Sequence, residues 1–311
     1  MNLRELQKLQ RDTGFNPGFI EKVYQLTRIL AAIYSDRNLK ENLALKGGTA
    51  LNFIYLNIPR LSVDLDFNFI GALEKDKMLE LRPAVTRGIK TIADNLGFYT
   101  FRKSSSYILD RFLIRYRSLR GLQESIRIEI NYLERVPVIA PVQKTFRHFF
   151  EDIQRFKVKT YQPEELGAMK TKAVVERLYA RDLYDIYNIS QLNLQYRIMR
   201  KLMIVYILMA NQQPELQSII SKIARYSRRH FIQQISPFVS SLQDIDASRV
   251  KQDVIEFYKK VLVLDRDDNR DDRKFLENIK KKEIDMKLLF GKDIFNPDAN
   301  VHPSLLFALK K

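Results

Sequence analysis

The 311-residue chain has no cysteine, no tryptophan and only three histidines, His148, His230 and His302, well separated in sequence. Without a thiol, disulfides, Cys-ligated zinc, iron–sulfur clusters and cysteine nucleophiles are excluded. Three scattered histidines argue against a His-built metal site. Glycine and proline number ten each, too few for a fibrous or low-complexity chain. No run approaches the roughly 20 apolar residues that a helix needs to span a bilayer. Met1-Asn2-Leu3-Arg4-Glu5 mixes charges of both signs where a signal peptide would carry an apolar core. These absences lead us to expect a soluble, cytoplasmic protein with no membrane partner. Positive charge, by contrast, is abundant. The chain has 53 Lys+Arg against 37 Asp+Glu, a net +16, which favours an anionic partner and nucleic acid first.

Hydrophobic residues make up 45% of the chain, enough to build the core of one large or two ordinary domains. Asn16-Pro17 is a helix start, and Phe19, Val23, Leu26, Leu30 and Ile33 follow at helical spacing. A second helical patch surrounds 38–42. Leu43-Ala44-Leu45 is a short apolar run, then comes Lys46-Gly47-Gly48-Thr49 and a short apolar segment over 50–56. Residues 63–69 alternate strictly, the period of a half-buried strand. Residues 77–97 are helical again and stop at Gly97. Residues 111–117 and 125–133 read as an antiparallel strand pair, with Ile126, Ile128 and Ile130 alternating with Arg127, Glu129 and Asn131. From Pro163 onward nearly everything reads as helix, and the connection 134–162 reads as a bridge between the halves. We therefore expect an α+β fold: a mixed sheet with flanking helices over residues 1–160, followed by an α-helical domain over 161–311. The acidic run 265–272, interleaved with Arg266 and Arg270, reads as a solvated loop.

Two features carry chemistry. Strand residues two apart share a face, so Asp64 and Asp66 project together while Val63, Leu65 and Phe67 project to the other side. Such a carboxylate pair fits a solvated strand face, and equally a hard divalent cation such as Mg²⁺ that relieves the repulsion. Upstream, Gly47 and Gly48 let the backbone approach an anion closely, with Thr49 and a helix start adding donors. Alone, Gly-Gly-Thr is also a tight turn with Thr49 as a helix cap. One short helix apart, the two features are what a metal-dependent phosphoryl or nucleotidyl transferase needs. A basic stretch lies further on. Between Arg197 and Arg229 seven Lys/Arg face one acid, Glu215, and Lys222, Arg225, Arg228 and Arg229 form its densest part. It suits an RNA backbone or a solvated helix face.

Lys46-Gly47-Gly48-Thr49-Ala50-Leu51, then Arg60, Ser62 and Asp64-Leu65-Asp66-Phe67, resembles the first motif of the AbiEii/AbiGii-type nucleotidyltransferase toxins. These are type IV toxin–antitoxin and abortive-infection proteins of the DNA-polymerase-β-like superfamily. The helix from Pro163-Glu164-Glu165 through Lys170, read as continuing to Arg181-Asp182-Leu183-Tyr184-Asp185, is similar to a second motif of that family. His302-Pro303-Ser304-Leu305-Leu306 is similar to its terminal signature. The resemblance implies an NTP substrate held by Lys46, Gly47, Gly48, Thr49, Arg60, Ser62 and Lys170. It implies two Mg²⁺ on Asp64 and Asp66, with Asp182 or Asp185 orienting Lys170 or the acceptor. A third acid is usual, and Glu129 is the candidate; it serves equally as a cross-strand partner of Arg111 or Arg115. The expected reaction is transfer of a nucleotide to RNA, at a tRNA 3′ end, blocking translation, with a cognate antitoxin in the same cell. Nucleotide transfer to a protein hydroxyl (AMP- or UMP-ylation) and a non-catalytic RNA-binding module are the alternatives.

Overall fold

The computed structural model describes residues 1–263, 269–293 and 295–310, and for residues 100–103 the backbone alone. By packing, the chain divides into two units. The first comprises Met1–Arg135, Pro141–Tyr161 and Pro237–Gln243, and the second Val136–Ala140, Gln162–Ser236 and Asp244–Lys311.

The first unit is built on a mixed seven-stranded sheet. Its strands are β1 (Leu43–Lys46), β2 (Asp64–Phe69), β3 (Tyr99–Ser105), β4 (Leu109–Arg117), β5 (Gln123–Asn131), β6 (Val142–Thr145) and β7 (Lys157–Thr160), in the order β3-β4-β5-β2-β1-β7-β6. Neighbouring strands run antiparallel except β2 with β5 and β1 with β7, which are parallel. Leu65 and Phe67 of β2 align with Ile128 and Ile130 of β5, and all four are fully buried. The helix Pro17–Ser35 packs against β2, β5 and the helix Lys75–Asn95. The first of these helices starts where Asn16 accepts the Gly18 N–H with Pro17 behind it, and Val23, Leu26, Leu30 and Ile33 form its buried stripe. Past the second, Gly97 turns the chain at φ 76°.

The connection 134–162 is not only a bridge. It supplies β6 and β7, and β7 joins the sheet beside β1, where the Thr160 hydroxyl donates to the Leu45 carbonyl at 2.7 Å. With four residues and one apolar side chain, Val158, β7 is too short for its period to stand out in sequence. β3 likewise escaped the sequence reading.

The second unit is helical. Its principal helices span Pro163–Glu176, Ala180–Ile189, Tyr196–Met209, Leu216–Ala224, Arg228–Ile235, Ala247–Val261 and Arg270–Lys280. Within it, Arg200 binds Asp272 at 2.6 Å and Lys201 binds Asp293 at 2.7 Å, both cations being buried. Asp272 is 1% exposed, so the end of the acidic run is not a solvated loop: a buried guanidinium draws that carboxylate into the core. Residues 264–268 lie outside the described residues.

A buried polar knot holds the sheet at β4. Asp110 is fully buried and takes Arg82 Nε at 3.0 Å and Nη2 at 2.7 Å, together with the Ser105 hydroxyl at 2.7 Å and the Tyr132 hydroxyl at 3.2 Å. Asp110→Ala leaves the mostly buried Arg82 guanidinium without its carboxylate. Denaturant unfolding should show a loss of about 3–5 kcal/mol.

Candidate active site

Asp64 and Asp66 open β2 and face the same way, because the strand's alternation sends Leu65 and Phe67 into the core. Register extends that polar face across the sheet. Asp66 lies opposite Lys46 of β1 and Glu129 of β5, Asp64 opposite Arg127 of β5, and Glu129 opposite Arg111 of β4. Asn68, next on the same face, is buried and donates to the Tyr161 hydroxyl at 3.0 Å. The polar stripe is therefore sealed at one end and accessible at Asp64 and Asp66.

Lys46 ends β1, and Gly47 turns the chain at φ 73° into the helix Gly47–Ala50, which runs on as a wider π-helical turn, Leu51–Tyr55. Both glycines are required by close approach. A Cβ on Gly47 would stand 2.5 Å from Asp66 Oδ2, and one on Gly48 2.5 Å from Arg60 Nη2 and 2.9 Å from Ser62 Oγ. Thr49 does not cap this helix. It is fully buried, its hydroxyl donates to the Asp64 carbonyl at 2.5 Å, and it shares a hydrogen bond with the Ser62 hydroxyl at 3.0 Å. Thr49 and Ser62 thus fix the turn to the acid-bearing strand with their side chains. Arg60 is 2% exposed; its Nη1 donates to the Leu61 carbonyl at 2.9 Å, and its backbone bridges to Val239. The Lys46 ammonium pairs with Glu134 at 2.9 Å.

The acids are not bare. Arg127 Nη2 meets Asp64 Oδ2 at 2.7 Å and Arg127 Nε lies 3.6 Å from Glu129 Oε1, which Arg111 Nε also holds at 2.7 Å. Glu129 therefore stands beside Asp66 in register and has the cross-strand partner Arg111. Among the described residues no three His, Cys, Asp or Glu side chains converge as a metal-holding group. The Asp64 and Asp66 carboxylates are oxygen donors on one strand face and fit a hard cation such as Mg²⁺ by donor type.

In the second unit the structure corrects the reading of one long helix from Pro163 to Asp185. The helix ends at Glu176, Leu178 takes φ 53°, and a new helix starts at Ala180. Lys170, Arg177 and Arg181 consequently do not share one helix face. The break instead folds Asp182 and Asp185 onto Lys170, whose Nζ reaches Asp182 Oδ1 at 2.9 Å and Asp185 Oδ2 at 2.8 Å. Arg177 Nε adds a contact to Asp182 Oδ2 at 3.3 Å, and its guanidinium lies 5.0 Å from the Tyr179 ring centre. Burial alone would raise the Asp182 carboxyl, but Lys170 and Arg177 hold it below the usual carboxylate range.

Two residues were missed by the sequence reading. Arg127 was visible as a polar alternate on its strand, but its pairing with Asp64 depends on the parallel register of β2 and β5. Glu165 read as a first-turn helix acid. It is fully buried and accepts the Val138 and Ile139 N–H groups at 2.8 and 3.0 Å and the Tyr206 hydroxyl at 2.9 Å. Burial pushes its carboxyl up to about 7 despite those donors.

The basic stretch is smaller than its sequence suggested. Arg200 and Lys201 are buried in ion pairs, Arg197 shares Asp293, and Lys222 donates to the Val175 carbonyl. Arg225, Arg228 and Arg229 are exposed, and Tyr226 stacks on His230 with ring centres 5.7 Å apart and planes within 11°.

Residues 28–285 match the nucleotidyl transferase AbiEii toxin family of type IV toxin–antitoxin systems, and the chain belongs to that family. Its fold is similar to that of MenT4, a nucleotidyltransferase toxin from Mycobacterium tuberculosis H37Rv. The TM-score is 0.61 at 18% identity, covering 86% of this chain and 93% of that one. A weaker likeness is to JHP933 from Helicobacter pylori, with TM-score 0.49 and 14% identity, covering 86% and 99%. No curated protein matches the sequence. No helix among the described residues is long and apolar enough to cross a membrane.

The Glu165 carboxyl stands near 7 in the folded protein against an ordinary 4.5. Between those values the folded chain binds the extra proton, so this group's contribution is fully present below about pH 4.5 and is lost as pH rises towards 7. Asp182, held low, acts with the opposite sign at acid pH. Thermal melts at pH 5 and pH 8 should therefore show a smaller difference for Glu165→Gln than for the wild type.

Proposed function

We propose that this chain is a Mg²⁺-dependent toxin that transfers a nucleotide from an NTP to an RNA hydroxyl, at the 3′ end of tRNA. The observation that carries the reading is the packing of Gly47 against Asp66, so close that no side chain fits between them. That contact sets a turn of backbone donors beside two carboxylates on one strand face. In this reading the N–H groups of Gly47 and Gly48 bind the outer phosphates, with the Arg60 guanidinium behind Gly48 adding positive charge. Asp64 and Asp66 would hold Mg²⁺, which when bound neutralises charge on the phosphates and lowers the pKa of a coordinated hydroxyl.

The acceptor hydroxyl oxygen attacks the α-phosphorus. A new phosphodiester bond forms, the bond to the α,β-bridging oxygen breaks, and pyrophosphate leaves. The hydroxyl proton is assigned to Glu129, the register partner of Asp66. In the second unit, Asp182 and Asp185 fix the Lys170 ammonium from two sides, which suits a cation kept in place for a phosphate. For the acceptor, exposed Arg225, Arg228 and Arg229 offer charge to phosphates, and the Tyr226–His230 stack offers rings to unpaired bases. Membership of a toxin–antitoxin family adds a cognate antitoxin as partner, and the proposed substrates place the protein in the cytoplasm.

Incubation with each α-labelled NTP, Mg²⁺ and either total tRNA or a protein lysate tests the reading. Label should appear on RNA, and Asp66→Ala should lower the rate by on the order of 10²–10³ or more. Label on protein alone overturns the acceptor, and wild-type-like transfer by Asp66→Ala overturns the site.

A further inference from the structure

Arg127 occupies an unusual place on the polar face. Its register partner on β2 is Asp64, so the parallel backbone itself sets the guanidinium beside that carboxylate. Nη2 closes on Asp64 Oδ2 at 2.7 Å, while Nε points towards Glu129 at 3.6 Å. Arg111 already holds Glu129 at 2.7 Å, so the weaker of Arg127's two contacts duplicates one that exists without it. The Arg127 side chain is 44% exposed and that of Asp64 23%, so the pair lies at an accessible surface.

A cation bound between Asp64 and Asp66 competes with Arg127 for the Asp64 carboxylate. A guanidinium cannot release its proton in the pH range of proteins, so it cannot yield by losing charge. It has to move. We propose that Arg127 is a latch on Asp64 that a divalent cation displaces, and that the freed guanidinium then binds the phosphates of the incoming nucleoside triphosphate. This inference rests on the nucleotidyltransferase reading of the site and adds to it a residue and an order of affinities.

The chemistry fits both positions. A guanidinium pairs with carboxylate and phosphate oxygens through the same two-pronged geometry, so Arg127 exchanges one oxyanion partner for another. Metal alone has to break the Arg127–Asp64 contact without replacement. Metal arriving with a triphosphate gives Arg127 a new anion at once. The two ligands should therefore bind with positive coupling, each raising the affinity of the other, and part of that coupling should run through this one side chain. A residue that merely shapes the sheet face would give no such pattern, since its loss would weaken both ligands together.

The test titrates the full-length protein with Mn²⁺ alone, followed by the electron paramagnetic resonance of free Mn²⁺. It then titrates with the four α,β-methylene NTP analogues at saturating Mg²⁺, followed by calorimetry. Arg127→Ala should bind Mn²⁺ alone about 3–10-fold more tightly than the wild type, because the competing ion pair is gone. It should bind the preferred analogue about 10-fold more weakly, because a charge-assisted phosphate contact is lost. The rise in Mn²⁺ affinity on adding analogue should shrink. Arg127→Lys keeps the charge and loses the fork, and should move both affinities in the same directions by less; it carries the test if the alanine variant does not fold. Unchanged or weaker Mn²⁺ binding in the variants, or unchanged analogue binding, overturns the latch. Failure of the wild type to bind either ligand overturns the nucleotidyltransferase reading and the latch with it.

Discussion

Asp64 and Asp66 stand two residues apart on a strand, a separation at which side chains point the same way and like charges repel. At about 6 Å and an effective dielectric near 20, that repulsion is on the order of 2–3 kcal/mol. The first unit carries it because the same alternation buries Leu65 and Phe67, anchoring β2 from the other side. Shifting the strand by one residue would bury the acids and expose the core, so the hydrophobic face enforces the electrostatic one. Arg127 offsets part of the repulsion by pairing with Asp64, and Arg111 does the same for Glu129.

The glycine turn is held to this strand by contacts that leave little freedom. Gly47 is in the left-handed region with no room for a Cβ beside Asp66, a Cβ on Gly48 would crowd Arg60 and Ser62, and the Thr49 hydroxyl donates to the Asp64 carbonyl. Side chains that read in sequence as ligand donors are thus spent on position. The second unit uses the same logic at Lys170. A buried ammonium between two carboxylates has its charge and location fixed together, and Asp182 stays ionised because Lys170 and Arg177 outweigh its burial.

Much of this was legible in the sequence. Strict alternation over 63–69 gave the shared face of Asp64 and Asp66, and two glycines in a row after a short apolar run located the turn. Asn16-Pro17 and the apolar spacing that follows gave the first long helix. Other features depend on information that local pattern does not contain. The parallel pairing of β2 with β5, which brings Arg127 to Asp64, is a long-range register. β7 has a single apolar residue to announce it. The break at Leu178 was hidden because leucine rarely adopts a positive φ, and a pattern reader expects glycine or asparagine there. The basic stretch was overcounted for a related reason: Arg200 and Lys201 look like surface charges until Asp272 and Asp293 are seen to bury with them.

The proposed chemistry depends on divalent metal held by the two aspartates of β2, beside the turn at Gly47. Crystals grown with Mn²⁺ and a non-hydrolysable NTP, measured at a wavelength where manganese scatters anomalously, would show it directly. The account predicts an anomalous peak within coordination distance of both the Asp64 and Asp66 carboxylates, with triphosphate density running from it to the N–H groups of Gly47 and Gly48. A nucleotide bound elsewhere, with no peak at these aspartates, would contradict it.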